Sequence, residues 1–593
     1  MGELRRLLPY YRPYRVGMAI GLILVVISNL FTVAGPYLLK MAIDSLEQEL
    51  RGDLILRYAG LMVLVALVAG VGRYFMRELL NGISRRMETD LRGALFGHFM
   101  RLPPQFFDRW RTGDLMSRAT NDVQAVRMVA GPAVMYLVNT TTVAALTLGL
   151  MIWIDPWLTA VAMIPMLFVP PVVFSFGKKI HTRFERIQSQ FSELSSFVQE
   201  NLSGIRIVKA YTREMVQGEE FGELNEEYKR RNLSLARVWG AFHPGLILLT
   251  GLGAVVVLWF GGGRVIQGRI TLGDFVAFSF YLTLLTWPMI ALGWVTNLFQ
   301  RGAASMRRIN ELLSIEPAIT DPAEAVQFGD IRGEVQFENV SFRYPETEHW
   351  ILSDVSFRIE PGQTVAVVGA TASGKTSLAR LIPRLYEATA GVVRIDGVDV
   401  RDFRLQDLRS SVAVVPQDPF LFGMRLRRNI ELQYNTEEVT PELERAIEVA
   451  QLQGALEVLP DGIDTRLGER GINLSGGQKQ RTTLARALYR DAPILILDDA
   501  LSAVDSETET AILDGLRDYM AGRTSIIISH RVSAVRDADL ILVLEDGHIV
   551  ERGRHAELIA RGGVYARLLE RQLLAEELGE DTHRPVAPVA ASQ

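Results

Sequence analysis

The 593-residue sequence contains no cysteine. Disulfides, iron–sulfur clusters and thiolate metal sites are thereby excluded. A strong charge of either sign is also missing. The net charge is −5, so no global field points to nucleic acid. Lysine is scarce beside arginine, which reads as genomic or thermal bias. The most informative absence is local. Residues 16–39, 128–154, 156–177 and 275–300 hold no charged side chain, and 238–263 is interrupted only by His243.

What is present fills those gaps with apolar residues. Hydrophobic residues make up 48 % of the chain and charged ones 22 %, and the excess sits in the first half. Each uncharged run exceeds the roughly 20 residues that cross a bilayer as a helix. Residues 58–72 are shorter and reach span length if Arg57 and Arg73 sit near the interfaces, where arginine snorkels. Six spans are expected, in place of one large soluble helical core. The first is too long for a cleaved signal peptide, and "GPYLLKMAID" is no small-residue cleavage site. The basic "MGELRRLLPYYRPYR" reads as an amphipathic helix on the membrane surface. The connections 73–127 and 178–237 are long and rich in Lys and Arg, whereas spans three and four, and five and six, are joined by short segments. Positive-inside logic puts both termini and the long connections in the cytoplasm. The expected location is a multi-pass position in the cell (inner or plasma) membrane.

The long connections read as helices continuing the spans, because "ETDLRGALFGHFMRL" and "RFERIQSQFSELSSFVQENL" place apolar residues at three-to-four spacing. The polar segments "RTGDLMSRATNDV" and "KAYTREMVQGEEF" are expected to turn between paired rods. Residues 313–332, with two prolines and many acids, read as a linker.

From about residue 333 the pattern changes to alternating strands and helices. "QTVAVVG" reads as a strand, "LARLIPRLY" as a helix, and between them stands "GATASGKTS". This is a P-loop in its strand–loop–helix context. Gly369, Ala370, Thr371, Ala372, Ser373, Gly374, Lys375, Thr376 and Ser377 would form a nest of amides for the phosphates of ATP. Lys375 reaches the β- and γ-phosphates, and the Thr376 hydroxyl can ligate Mg2+. Ala372 stands where a middle glycine is common, which costs little if the backbone there has negative φ. A second strand, "PILILD", ends on Asp498, placed to hold Mg2+ directly or through water.

The order "FRYP", P-loop, "VVPQDPFLF", "GERGINLSGGQKQR", "LILDDALSAVD", "IIISH" resembles the nucleotide-binding domain of the ATP-binding cassette (ABC) superfamily. With six spans ahead of it, the chain resembles a half-transporter of the B-type exporter family, for multidrug or lipid compounds. "FFDRWRTGDLMSRATNDV" and "ENLSGIRIVKAYTRE" are similar to the segments carrying that family's coupling helices. The implied fold class is a membrane α-helical six-span domain with long cytoplasmic extensions, plus an α/β P-loop domain. The implied division is 1–312 transmembrane, 313–332 linker, 333–575 nucleotide-binding and 576–593 disordered tail.

The resemblance also implies roles. Tyr344 would stack on adenine. Gln417 would touch Mg2+ and sense the γ-phosphate, so that Thr376, Gln417 and Asp498 form the metal set. Ser475, Gly476, Gly477 and Gln478 form the signature that meets the ATP of the other subunit. His530 would be the switch histidine, Asp505 part of the loop crossing the subunit interface, and Glu469 the link from signature to membrane rods. Asp499 takes the position that in this family is usually a catalytic glutamate. Aspartate is shorter by one methylene, about 1.5 Å of reach, and a misplacement of about 1 Å can cost roughly a hundredfold in rate. This chain's own site should bind ATP and hydrolyse it poorly. With an intact signature, that pattern resembles the degenerate-site subunit of a heterodimeric exporter, whose different partner carries the glutamate. The alternatives are a homodimer with two slow sites, or an ATP-gated channel or regulatory subunit. A soluble cassette ATPase acting on nucleic acid conflicts with the spans.

No Asp or Glu falls deep within a span. Ser28, Asn29, Thr32, Asn139, Thr140, Thr141, Thr142 and Thr250 are the polar residues there, with Phe31, Tyr136, Trp287 and Trp294 among the aromatics. Such a set suits small amphipathic or hydrophobic compounds: drugs, lipids or peptides. It equally suits hydrogen bonding between helices.

Overall fold

The structure, a computed structural model, describes residues 2–48, 52–326, 331–345, 347–432 and 439–581. It divides into two compact units. The first holds Met1–Met100 and Thr112–Ile315, the second Arg101–Arg111 and Glu316–Gln593.

Among the described residues of the first unit, six helices are long and apolar enough to span a membrane: α1 (Gly2–Glu47), α2 (Asp53–Phe99), α3 (Thr112–Ile154), α4 (Pro156–Ser203), α5 (Glu214–Ile266) and α6 (Leu272–Leu313). At 1.5 Å per residue α2 is about 70 Å long, so it outruns a bilayer core and continues as a rod. The short turns follow from local chemistry. Asp155 caps α4 by accepting from the Leu158 amide at 2.9 Å, with Pro156 at the first helical position. Thr271 and Asp274 form a reciprocal capping box on α6. Val25, Met76, Leu80 and Met135 pack α1, α2 and α3 together, while Val33, Met151, Leu158 and Phe278 belong to a second cluster.

Two expectations about this unit change. The segment "RTGDLMSRATNDV" does not turn: α3 begins inside it at Thr112. The break falls earlier, at Pro103 and Pro104 in the stretch that belongs to the second unit, where a short helix, Pro104–Arg109, starts with proline in its first turn. In the second tip, the chain turns at 211–213, between Ile205–Ala210 and α5. Arg73 is also not where snorkelling would put it. The Ser28 hydroxyl donates to the Ala69 carbonyl at 2.9 Å, and a Cβ on Gly72 would lie 3.4 Å from Ser28 Cβ. Close antiparallel packing therefore sets Arg73 beside the middle of the uncharged run 16–39. The register is fixed by small residues, which hydropathy does not report.

The second unit contains strands β1 (Val335–Phe342), β2 (Leu352–Ile359), β3 (Thr364–Gly369), β4 (Ala390–Ile395), β5 (Val398–Asp399), β6 (Val412–Val415), β7 (Ile494–Asp498), β8 (Thr524–Ile528), β9 (Leu540–Glu545) and β10 (His548–Gly553). A four-stranded sheet runs β2-β1-β4-β5 and a six-stranded one β10-β9-β3-β8-β7-β6. β9, β3, β8, β7 and β6 are parallel, and near-continuous Val, Ile and Leu bury them on both faces. Alternation assigns the faces: Val365, Val367, Ile494 and Ile496 enter one core, while Ala366, Val368, Leu495 and Leu497 enter the other. The order brings the carboxyl ends of β3, β8 and β7 side by side, the usual ligand edge of such a sheet. The chain's last described helix is Val564–Asp581. Of the expected tail, 582–593 lie outside the described residues.

Candidate nucleotide site

A cleft of about 280 Å³ opens at that edge, lined by Tyr344, Thr371–Ser377, Gln417, Asp498, Asp499 and His530. β3 delivers the loop, and α7 (Lys375–Leu381) leaves it. Gly374, at φ +102°, makes the last step into α7. A Cβ there would lie 2.7 Å from the Ile351 carbonyl, so only glycine fits. Ala372 corrects an expectation: its φ is +66°, the left-handed region. An L-residue is disfavoured there by roughly 1–2 kcal/mol, so alanine in place of the common glycine strains this loop.

The Lys375 ammonium, 6 % exposed, donates to the carbonyls of Gly369 (3.0 Å) and Ala370 (2.7 Å) and to the Ser373 hydroxyl (3.4 Å). Gly369 and Ala370 thus stand behind the cleft wall and hold the lysine. Burial pushes its pKa down, against the nearby charges of Asp498 and Asp499. Burial pushes the Asp498 carboxyl up, against the Thr376 hydroxyl, which donates to it at 3.1 Å. Both ionised forms gain when an opposite charge enters. The Thr376 hydroxyl and the Asp498 carboxylate, with Gln417 on the same cleft, make an all-oxygen donor set around one acid. That suits Mg2+, which takes one or two carboxylates and completes its shell with water and phosphate. Tyr344 is half-buried, its hydroxyl 3.0 Å from Ser377 Oγ and its ring edge-on to Phe342 and Tyr386. Asp499 also sits at positive φ, +49°, its amide donating to the Ile528 carbonyl at 2.8 Å. Aspartate is among the residues that tolerate this conformation.

The signature lies apart from the cleft. Ser475 and Gln478 cap α8 (Gly476–Tyr489) reciprocally: the Gln478 amide donates to Ser475 Oγ (3.3 Å) and the Ser475 amide to Gln478 Oε1 (2.9 Å). A Cβ on Gly477 would lie 2.9 Å from the Ala503 carbonyl, so the start of α8 packs directly on the loop before Asp505. Asp505 caps the next helix by accepting from the Thr508 amide at 2.9 Å. Glu469 is exposed. Sequence reasoning passed over Gln480 and Arg531. Buried Gln480 donates to Ser502 Oγ and accepts from the Ala503 amide, both at 2.8 Å. Arg531, next to His530, donates to the Ser502 carbonyl at 3.3 Å and pairs with Glu509. The start of α8, the loop before Asp505 and Arg531 beside His530 therefore meet at Ser502 and Ala503. The second glutamine of "GGQKQ" was the available signal; Arg531 had none.

Comparison with known proteins agrees with this architecture. Residues 18–289 match the ABC transporter transmembrane region and residues 352–502 the ABC transporter family model. The chain is 38 % identical over 584 residues to the probable multidrug resistance ABC transporter ATP-binding/permease protein YheI of Bacillus subtilis (strain 168), covering 97 % of this chain and 99 % of that protein. It is 34 % identical over 587 residues to the ATP-dependent lipid A-core flippase of Syntrophus aciditrophicus (strain SB), covering 98 % and 97 %. The structure of a bacterial Atm1-family ABC exporter with ATP bound superposes with a TM-score of 0.76 at 26 % identity, covering 95 % of this chain and 99 % of that one. The chain belongs to the ABC transporters, as a multi-pass membrane ATPase of the exporter type with its transmembrane and ATP-binding domains in one polypeptide.

Proposed function

We propose that the protein is one subunit of a heterodimeric exporter that moves amphipathic or hydrophobic compounds out of the cytoplasm by alternating access. Its own cleft binds ATP with Mg2+ held by Thr376, Asp498 and Gln417. The metal offsets phosphate charge there. Lys375 and the loop amides hold the phosphates, Tyr344 takes the adenine, and His530 faces the γ-phosphate. The carrying observation is Asp499 at the catalytic position, one methylene short, beside a signature whose capping box is intact. Hydrolysis then falls to the partner's site, completed by Ser475, Gly476, Gly477 and Gln478 of this chain. ATP clamps the two nucleotide-binding domains, both cytoplasmic, and the rods carry that closure to the spans. The relatives' names, multidrug resistance and lipid flippase, support a membrane-soluble substrate.

The purified complex tests this reading. Asp498→Asn should weaken Mg2+-dependent nucleotide binding at this chain's site. Asp499→Ala should leave turnover within about threefold, because a group misplaced by about 1 Å has already lost most of its effect. Glu→Gln at the matching position of the partner should nearly abolish turnover while ATP still binds. A collapse in Asp499→Ala equal to that of the partner change, or full substrate-stimulated activity from this chain alone, overturns the asymmetric reading and leaves the homodimer.

A further inference from the structure

The membrane unit holds a hollow that nucleotide chemistry does not use. A cavity of about 280 Å³ lies between α1, α2, α3 and α6, its wall including Asn29, Arg73, Arg77, Tyr136, Asn139 and Trp287. A groove of about 550 Å³ along α2 shares Arg73 and Arg77 with it and adds Glu78 and Arg85. The Asn29 amide donates to the Asn139 carbonyl at 3.2 Å, which fixes α1 against α3. Tyr136 is held edge-on to Trp294 at 4.9 Å. The wall is therefore rigid and largely apolar, with two guanidinium groups one helical turn apart on one face of α2.

Depth makes those arginines costly. Ser28, against which Ala69 and Gly72 pack, is about 18 Å of helix from Lys40 and about 20 Å from Arg15. Arg73 sits at that level, mid-run, where an ionised side chain is expensive and marks function unless paired. Three other cations next to the apolar runs of this unit are paired. Lys40 reaches Asp274 at 2.6 Å, Arg127 reaches Glu88 at 3.3 Å, and Arg264 reaches Asp155 at 3.3 Å. Among the described residues no carboxylate pairs with Arg73 or Arg77, Glu78 included; Arg73 has only a long bond, 3.4 Å, to the Ala69 carbonyl of its own helix.

We propose that this cavity selects substrates bearing an anion: an apolar body with one carboxylate, sulfonate or phosphate group, which bridges Arg73 and Arg77 while Tyr136 and Trp287 take the apolar part. The proposal rests on the exporter reading and narrows its substrate class. Guanidinium is weakly hydrated and offers forked donors matched to such oxyanions. Two like charges in a low-dielectric wall repel each other until an anion enters. A cationic compound meets that repulsion, and a neutral one leaves both arginines unpaired.

The test uses the assembled transporter in phosphatidylcholine vesicles and two fluorescent probes that differ by a sulfonate: 8-anilinonaphthalene-1-sulfonate and uncharged N-phenyl-1-naphthylamine. After correction for partition into protein-free vesicles, the sulfonate should bind at least about tenfold more tightly, the value of one charge-assisted contact. R73Q/R77Q should reduce the preference to about onefold. R73K/R77K, which keeps the charge, should retain a preference, separating charge recognition from misfolding. Phosphatidylglycerol added to the vesicles should displace the sulfonate if the natural ligand is a lipid headgroup, and should not if it is a soluble organic anion. Equal affinity of the native protein for both probes, as a carboxylate from the partner subunit would produce, overturns the proposal, as does an unchanged preference in R73Q/R77Q. ATP-driven accumulation of the probes is measured separately: a tenfold binding preference with no accumulation sinks the exporter reading and leaves this one standing.

Discussion

The nucleotide cleft and the membrane cavity each put cations on a wall, and they finish the job differently. Lys375 is held by three oxygens of its own loop before any ligand arrives. Arg73 has one long backbone contact, and the Asn, Tyr and Trp beside it come from three other helices. The nucleotide cleft is prepaid for one chemistry, phosphate, and needs little rearrangement. The membrane cavity keeps its charge unneutralised and leaves the rest of its wall apolar, which accepts many bodies on one kind of head. A nest of placed donors suits one ligand chemistry, and an apolar wall around an unpaired charge suits bodies of several shapes.

The sharpest way to break that contrast is Lys375→Ala. Removing the ammonium takes one charge-assisted contact from the phosphates, about 3 kcal/mol, so nucleotide affinity at this subunit should fall roughly 150-fold. Titration with a fluorescent ATP analogue reads it. Unchanged affinity would mean that Lys375 only braces Gly369 and Ala370, and the contrast would fail on the nucleotide side.

Next in size is a pair of changes within the membrane unit. Lys40→Gln leaves Asp274 without its cation in a partly buried place, a loss of about 2 kcal/mol after allowance for solvent. Arg73→Gln removes a cation that has no carboxylate and should not lower stability. The apparent melting temperature of the detergent-purified protein should drop in the first and hold or rise in the second. A drop of equal size in both would make Arg73 a structural residue.

These contrasts also explain what the sequence could reveal. The P-loop, Asp498 and the signature are legible because each packs its function into one continuous segment, where backbone geometry ties spacing to chemistry. The six spans are legible because length and lack of charge are themselves the physical requirement. The cavity was not, since its wall is assembled from four helices whose register depends on Gly72 passing Ser28. Three of the eight polar residues within the spans serve their own helices: Thr32, Thr140 and Thr250 donate to carbonyls one turn back. The rod turn is marked in the sequence by Pro103 and Pro104, which end a helix more strongly than the polar segment after them. Gln480, two residues past Gln478, is visible as a second glutamine, but its role shows only once the loop at Ser502 folds onto it.

Gly477→Ala separates the two ends of the nucleotide half. Its new methyl would meet the Ala503 carbonyl at 2.9 Å and push α8 off the loop, an overpacking cost of about 1–2 kcal/mol. Nucleotide binding to this chain's own cleft should survive, because Gly477 does not line it. On the proposed heterodimer reading, in which this signature completes the other site, turnover of the complex should fall about tenfold. Loss of binding at this chain's cleft instead would show that signature and P-loop are one cooperative unit.

The smallest effect concerns Ala372. At φ +66° the side chain costs roughly 1–2 kcal/mol relative to glycine in the folded loop. Glycine gives back about 0.5–1 kcal/mol through the freedom it adds to the unfolded chain. Ala372→Gly should therefore stabilise by less than about 1.5 kcal/mol, the difference of those two amounts. ATP affinity should move less still, since the strain is present before and after binding if the loop keeps its shape. A change of under about threefold fits a preformed nest, in which donors are aimed before the phosphate arrives. Ala372→Val serves as the opposite arm: a β-branched residue at positive φ is a true outlier, so it should force the loop to another shape and weaken ATP binding much more. If Ala372→Gly tightens ATP tenfold, the loop must change φ on binding, and the nucleotide cleft would be no more preformed than the membrane cavity.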